Sequence, residues 1–246
     1  MKHVANLASV DIAILAGGLG TRLSSVLPDR PKVMALVGGR PFLDFLLEAL
    51  TVQGARRMVL CLGSRAQAVI DYLAVHDYAP LEIQTSVEPL PLGTAGALAF
   101  AFPHFRSNPV MVMNGDTLVE ANLPEFLTSH AAAGAPVSML CAQVSDPRRY
   151  GRVEIDHTSR VTRFEEKASG LASAGWINAG VYLLNRSVLL QMSQDRPRSL
   201  ERDVFEALPP GSIHAHRSEA RFLDIGTPES LRQAEDLFTM KAGRLA

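Results

Sequence analysis

The run Asp11-Ile12-Ala13-Ile14-Leu15-Ala16-Gly17-Gly18-Leu19-Gly20-Thr21-Arg22-Leu23 sets a short apolar stretch directly against a glycine cluster. Residues Asp11 to Ala16 predict a buried strand, and the abrupt glycines predict that its carboxyl end opens into a loop. Glycines at a strand end let the backbone turn tightly and approach a ligand with no Cβ in the way. Successive amides in such a turn form a concavity that holds anions. Arg22, and Lys32 after Pro31, add two positive charges. Two common phosphate motifs do not fit. A P-loop ends Gly-Lys-Ser/Thr where this loop ends Gly20-Thr21-Arg22, and Leu23 stands where the dinucleotide fingerprint needs its third glycine.

Outward from this loop the chain alternates. An amphipathic helix is predicted over Pro41 to Val52, with Phe42, Phe45, Leu46, Ala49 and Leu50 at helical spacing and Pro41 suited to the first position. Then follow strand Met58–Leu62, helix Ala66–Ala74, strand Leu81–Ser86, helix Thr94–Phe102 and strand Val110–Asn114. This order predicts an α/β fold with a mostly parallel sheet covered by helices on both faces. In such sheets, ligands sit at the carboxyl ends of the strands. After Pro136 strands dominate: Val137–Val144, Arg152–Ile155, Val161–Phe164 and Trp176–Leu184 read as a mixed or antiparallel extension closing over the sheet. Helices Ser199–Leu208 and Pro228–Thr239 complete the pattern, and no repeat or low-complexity tract interrupts it. The expected organisation is one domain, 1–246, with two lobes, 1–135 and 136–246.

Composition narrows the function classes. The 246 residues are 47% hydrophobic and 20% charged, with a formal net charge of −1. A chain so balanced has no global field for nucleic acid or an anionic membrane surface, so any phosphate must be held by a local set of donors. The cysteines, Cys61 and Cys141, lie in apolar strand-like runs and read as buried reduced thiols. No Cys/His spacing suggests zinc. The N-terminus lacks a secretory apolar region, and no stretch approaches the length of a membrane span. The expectation is a cytoplasmic chain with no nucleic-acid or membrane partner.

The spacing Gly-Gly-x-Gly-Thr-Arg-Leu from Gly17 to Leu23, followed by Pro31-Lys32, resembles the signature of the sugar-phosphate nucleotidylyltransferases. The resemblance continues through Pro91-Leu92-Gly93-Thr94-Ala95-Gly96, Asn114-Gly115-Asp116, Tyr150-Gly151-Arg152-Val153, Phe164-Glu165-Glu166-Lys167, Asn178-Ala179-Gly180-Val181-Tyr182 and Asp224-Ile225-Gly226-Thr227-Pro228. Within the family, Ser25 to Lys32 with Gly38-Gly39-Arg40-Pro41-Phe42 is most similar to the D-glycero-α-D-manno-heptose 1-phosphate guanylyltransferases. The resemblance implies a Rossmann-like nucleotidyltransferase fold, with nucleotide bound by the first lobe and sugar phosphate by the second. Its substrates would be GTP, or another nucleoside triphosphate, and a sugar 1-phosphate. Its products would be a nucleotide-sugar such as GDP-heptose, for surface polysaccharide assembly, and pyrophosphate.

That chemistry is an in-line attack of the sugar phosphate oxygen on the nucleotide α-phosphorus. The nucleophile is already anionic at neutral pH, so no general base is required. Catalysis then rests on alignment and on cations where charge accumulates. Arg22 and Lys32 are the candidates for that role, and the backbone of Gly17 to Thr21 would hold the triphosphate. The resemblance implies nucleotide contacts from Leu15, Ala16, Gly17, Gly18, Gly20, Thr21, Glu88, Gly93 and Thr94. It also implies that Asp116 and Asp224 share Mg²⁺, with Asp116 counted among the catalytic residues. Both positions suit metal binding. Asp116 comes just past the apolar run Pro109 to Met113, after Asn114-Gly115, and Asp224 precedes a helix marked by Thr227 as N-cap and Pro228 as first residue. Lys167 would bind the sugar's phosphate, and Glu166, Asn178 and Gly151 would line the sugar pocket.

Glu88 carries the base preference. The resemblance places it at the nucleobase edge, with the Gly93 amide donating to a base carbonyl. Guanine presents adjacent N1–H and N2–H₂ donors, which an ionised carboxylate accepts in a bidentate manner. Cytosine presents an acceptor there, and uracil or thymine a single donor, so GTP is favoured. The rivals are mannose 1-phosphate with GTP, glucose or N-acetylmuramate 1-phosphate with UTP, and a non-catalytic sensing subunit. In Ser199-Leu200-Glu201-Arg202-Asp203 the expectation is a helix cap with acids in the first turn and no functional role. Many relatives carry C-terminal hexapeptide repeats, and the expectation from the few residues after the helix Pro228–Thr239 is that this chain carries none. A homodimer is one option for assembly.

Overall fold

The computed structural model describes residues 6–18, 20, 23, 27, 30–165, 174–193 and 196–242. In chain order the strands of the first half are β1 (Asp11–Leu15), β2 (Leu36–Val37), β3 (Arg40–Pro41), β4 (Arg57–Leu62), β5 (Glu82–Val87), β6 (Val110–Asn114) and β7 (Thr117–Val119). The second half adds β8 (Val137–Val144), β9 (Arg152–Ile155), β10 (Val161–Glu165), β11 (Gly175–Leu184), β12 (Ile213–Ser218) and β13 (Phe222–Asp224). The α-helices are α1 (Phe42–Val52), α2 (Ala66–Ala74), α3 (Gly93–Ala101), α4 (Leu123–Ala133), α5 (Arg186–Leu189) and α6 (Pro228–Ala242).

Strands β5, β4, β1 and β6 lie side by side and parallel, in that order. Alternate residues of each central strand serve opposite faces, as the pleat requires. Ile12, Ile14, Met111 and Met113 join one apolar cluster with Phe42, Leu46 and Leu50 of α1. Ala13, Val110 and Val112 join another with Ala95 and Leu98 of α3. A strand covered on both faces has no polar side, which explains the unbroken apolar reading of β1. On α1, Leu43 and Leu47 are buried together with Phe42, Leu46 and Leu50, so the inward stripe is broader than the predicted one.

The second half departs from expectation in how it joins the sheet. It does not close over the sheet but extends it. Strand β11 runs antiparallel to β6, pairing Val181 with Met113 and Leu184 with Val110. Its other edge pairs with β8, and β12 lies parallel to β8 beyond. The hairpin β9–β10 joins only the first part of β11, through Ile177 and Arg152. The result is one nine-stranded mixed sheet flanked by helices.

Helix α4 is an addition to the predicted elements, although its boundaries are written in the chain. Asn122 caps it by accepting from Glu125 N, Pro124 lies in its first turn, and Gly134 ends it in the left-handed conformation. The segment Leu200–Phe205 adopts π-helical bonding, with Ser199 as its cap. Both cysteines are buried and free, and burial pushes each thiol up to about 12.

Helix α4 is tied to the sheet through histidines. His130 Nδ1 lies 2.7 Å from Ser138 Oγ and its Nε2 lies 3.1 Å from Asn185 Oδ1. His214 Nε2 lies 2.8 Å from Ser129 Oγ, and the His216 ring packs against Phe126. Burial lowers the pKa of all three from 6.5. A base whose folded pKa lies below its unfolded value leaves the folded state with fewer bound protons in the window between them. Stability is therefore complete above pH 6.5 and declines as pH falls through it toward the depressed values. The thermal midpoint is expected to drop on acidification from about pH 7 to about pH 5. His130→Gln, although less stable at neutral pH by about 1–3 kcal/mol, should lose less across that interval. Parallel calorimetric pH series on the two proteins check this.

Candidate active site

The carboxyl ends of β1, β4 and β6 open on one edge of the sheet, and two cavities lie there. The first, of about 320 Å³, runs along the glycine loop from Leu15, Ala16, Gly17 and Gly18 to Glu88, Gly93 and Thr94. The second, of about 350 Å³, is bounded by Gly20, Tyr150, Gly151, Asn178 and Asp224. Lys32, Asn114, Asp116 and Glu201 line both. Of the residues singled out from the sequence, Thr21, Arg22, Glu166 and Lys167 lie outside the described residues. All the others line one cavity or both.

Asp116 and Asp224 are brought together by backbone pairing. Strand β13 lies antiparallel to β7 with Asp224 opposite Thr117, and Ile225 N–H donates to the Asp116 carbonyl at 2.9 Å. Each carboxylate is held by several donors. Lys32 Nζ donates to Asp116 Oδ2 at 2.6 Å, and the Thr117 hydroxyl lies 3.4 Å from Oδ1. Gly226 N–H donates to Asp224 Oδ1 at 2.6 Å, Tyr150 OH to Oδ2 at 2.8 Å, and Arg149 Nη2 approaches Oδ2 at 3.4 Å. Burial and the Asp224 charge raise the Tyr150 pKa, so its hydroxyl stays protonated and donates. Ser230 N–H and Thr227 Oγ1 form the expected cap on α6, aimed at the same corner.

Glu88 follows β5 and leans over the glycine loop. A Cβ at Gly63 would lie 2.9 Å from Glu88 Oε1 and 2.6 Å from Gly17 O, so only glycine allows this approach. Glu88 Oε2 accepts from Leu92 N–H at 3.1 Å. Burial raises the carboxyl pKa and that N–H partly offsets it. Each carboxylate oxygen accepts more than once, so an edge of Glu88 remains available to the first cavity.

A model of the nucleotidyl transferase family matches residues 12–240. The chain belongs to that family. It is 34% identical over 227 residues to D-glycero-alpha-D-manno-heptose 1-phosphate guanylyltransferase of Aneurinibacillus thermoaerophilus, covering 92% of this chain and 97% of that protein. It is also 34% identical over 232 residues to mannose-1-phosphate guanylyltransferase of Mycobacterium tuberculosis, covering 93% of this chain but 64% of that longer protein. Among solved structures, HddC from Yersinia pseudotuberculosis superimposes with a TM-score of 0.84 at 35% identity, over 93% of this chain and 99% of that one. HddC has also been crystallised in complex with GMP-PN.

Beyond the residues expected of a nucleotidyl transferase, the structure adds Glu201. Its Oε2 accepts from Ser199 Oγ at 3.0 Å and Thr94 Oγ1 at 3.2 Å, and its Oε1 accepts from Tyr182 OH at 3.1 Å. Tyr182 OH in turn accepts from Asn178 Nδ2 at 2.6 Å. Ser199 caps as expected, but Glu201 is more than a first-turn acid: it forms part of the wall common to both cavities. The signal that could have found it is weak, since one carboxylate in a charged run looks like a solvated helix start. Thr94 also accepts from Leu200 N–H at 2.6 Å, so its hydroxyl braces the segment carrying Glu201.

The same segment grips the start of α3. Arg198 N–H donates to Leu92 O at 2.9 Å and Ala95 N–H donates to Arg198 O at 3.0 Å. Gly93 sits between them at φ +71°, where a Cβ would lie 2.4 Å from Arg198 O. Gly93→Ala is expected to cost about 1–3 kcal/mol in stability, because both the backbone region and the contact forbid the methyl group. Chemical denaturation with and without GTP checks this. An unchanged midpoint would remove the clamp.

Proposed function

We propose that this nucleotidyl transferase moves GMP from GTP to a sugar 1-phosphate, D-glycero-α-D-manno-heptose 1-phosphate, releasing pyrophosphate. The observation that carries the reading is the wall common to the two cavities, where Lys32, Asp116 and Glu201 face both sides. A nucleotide in the first cavity and a sugar phosphate in the second would meet there. Support for the base comes from Glu88 beside the glycine loop, and from HddC in complex with GMP-PN. Support for the sugar comes from the heptose 1-phosphate guanylyltransferases, which the chain matches over nearly their whole length.

In the proposed reaction a sugar-phosphate oxygen attacks the α-phosphorus. A new P–O bond forms as the bond to the β-phosphate oxygen breaks and pyrophosphate departs with the electron pair. Lys32 and, from its sequence position, Arg22 would neutralise charge on the phosphates. The glycine-loop amides would hold the triphosphate. Glu201, Tyr182 and Asn178 form a hydrogen-bonded frame that orients the second cavity. The donor set also fits Mg²⁺. Asp116, in the turn before β7, and Asp224, at the end of the paired strand β13, offer hard carboxylate oxygens, and Mg²⁺ takes one or two carboxylates and leaves its other positions to water and phosphate. When bound, it would supply positive charge to the triphosphate, with Asp116 and Asp224 as its protein ligands.

Pyrophosphate release should be measured with Mg²⁺ over a grid of GTP, UTP, CTP, ATP and dTTP against heptose, mannose and glucose 1-phosphates. Turnover with GTP and the heptose phosphate alone is expected. Preference for mannose 1-phosphate would keep the reaction and replace the sugar. Folded protein that binds nucleotide but releases no pyrophosphate would indicate a sensing subunit. Asp116→Asn should lower kcat by about a hundredfold or more with an unchanged thermal midpoint. Glu88→Gln should narrow the GTP/UTP ratio of kcat/KM by roughly tenfold. A constant ratio would remove Glu88 as the base reader.

A further inference from the structure

Among the described residues five charged side chains line the second cavity: Lys32, Asp116, Arg149, Glu201 and Asp224. Glu201 accepts from hydroxyls, and the other four pair one to one. Lys32 Nζ lies 2.6 Å from Asp116 Oδ2, and Arg149 Nη2 lies 3.4 Å from Asp224 Oδ2. The carboxylates of Asp116, in the turn before β7, and Asp224, on β13, repel each other, and these two cations offset that repulsion. A divalent cation engaging both acids must therefore crowd or displace two positive groups already in place.

The two cations are anchored differently. Lys32 faces both cavities, so phosphates entering the first cavity compete directly with Asp116 for it. Arg149 lines the second cavity and is less firmly held by its acid. Its 3.4 Å approach to Asp224 is long for a hydrogen bond, and Tyr150 OH already holds the same oxygen at 2.8 Å. Arg149 is steadied instead by Thr227 Oγ1 at 3.2 Å and by the Tyr150 ring, 5.6 Å from its guanidinium carbon.

Building on the assignment of Asp116 and Asp224 as metal ligands, we propose that Lys32 and Arg149 stand in for the divalent cation in the metal-free protein. The site is thus closed to free metal until nucleotide phosphates draw Lys32 away from Asp116. Arg149 is a positioning residue in this scheme: it balances Asp224 while the metal is absent and leaves the acid on its arrival. Nucleotide and metal would then assemble together, and unproductive metal binding without nucleotide would be suppressed.

The test uses Mn²⁺ as the probe on the full chain stripped of metal and free of nucleotide, with free Mn²⁺ followed by electron paramagnetic resonance. Arg149→Ala should bind Mn²⁺ about fivefold more tightly than wild type, and Lys32→Met about tenfold, as expected for removing a like charge at short range and partial exposure. Arg149→Lys, which keeps the charge, should stay within about twofold of wild type. Asp116→Asn and Asp224→Asn should lose the site. If the acid variants lose Mn²⁺ but neither cation variant tightens it, the metal ligands stand and the proposal falls. If the acid variants bind Mn²⁺ as wild type does, the metal assignment falls and takes the proposal with it.

A second measurement probes the nucleotide side and does not depend on metal. In the presence of chelator, Asp116→Asn should bind GTP several-fold more tightly than wild type, because Lys32 is already released. That gain should vanish in a Lys32→Met background. A gain of equal size in both backgrounds would assign the effect to lost repulsion from Asp116 alone and overturn the role of Lys32.

Discussion

Two carboxylates held side by side are the constraint around which this molecule is organised. The backbone enforces their proximity: β13 pairs with β7, and Ile225 donates to the Asp116 carbonyl, so Asp116 and Asp224 cannot separate without breaking that ladder. Their charges oppose it. The surroundings supply Lys32, Arg149, the Tyr150 hydroxyl and the Gly226 amide to offset the repulsion. Because these donors come from different parts of the chain, holding the acids together also holds the loop before α6, the turn before β9 and the segment after the glycine loop in register.

The sheet makes that meeting point a place where two ligands can touch. Parallel strands β1, β4 and β6 end on one edge and leave a crevice outside their carboxyl ends. Antiparallel β11 then lies beside β6 and brings Asn178 to the same edge from the opposite direction. Register shifts between Asn178 and Tyr182, across Ala179-Gly180-Val181, as in a β-bulge that turns a side chain toward a site. Without that reversal, the second cavity would have no wall facing the first.

Glu201 connects the halves in a different way. Its carboxylate accepts from Thr94 at the start of α3 and from Tyr182 in the core of β11. Thr94 and Gly93 are in turn braced by the Arg198–Leu200 backbone. A carboxylate accepting several hydroxyls is a rigid node, and this one stands where the two cavities meet. The wall between the cavities is thus stiff on the Glu201 side and ionic on the Lys32–Asp116 side.

Much of this is legible in the chain. The apolar run into Gly17 and Gly18 specifies a buried strand and an open loop, because local sterics and burial need no distant partner to be read. The alternation of elements specifies the parallel half, because hydrophobic periodicity is a local signal. The resemblance pairs Asp116 with Asp224 across more than a hundred positions, which spacing alone cannot do. What only the tertiary structure decided is how the second half joins the first, and which donors surround the acids. Arg149, Gly63 and Glu201 carry no local signature of their roles. A charge before a tyrosine, a glycine after a strand and an acid in a helix turn acquire meaning from what the fold sets opposite them. Hydrogen bonds and ion pairs act over a few ångströms of space, however far apart the residues lie along the chain.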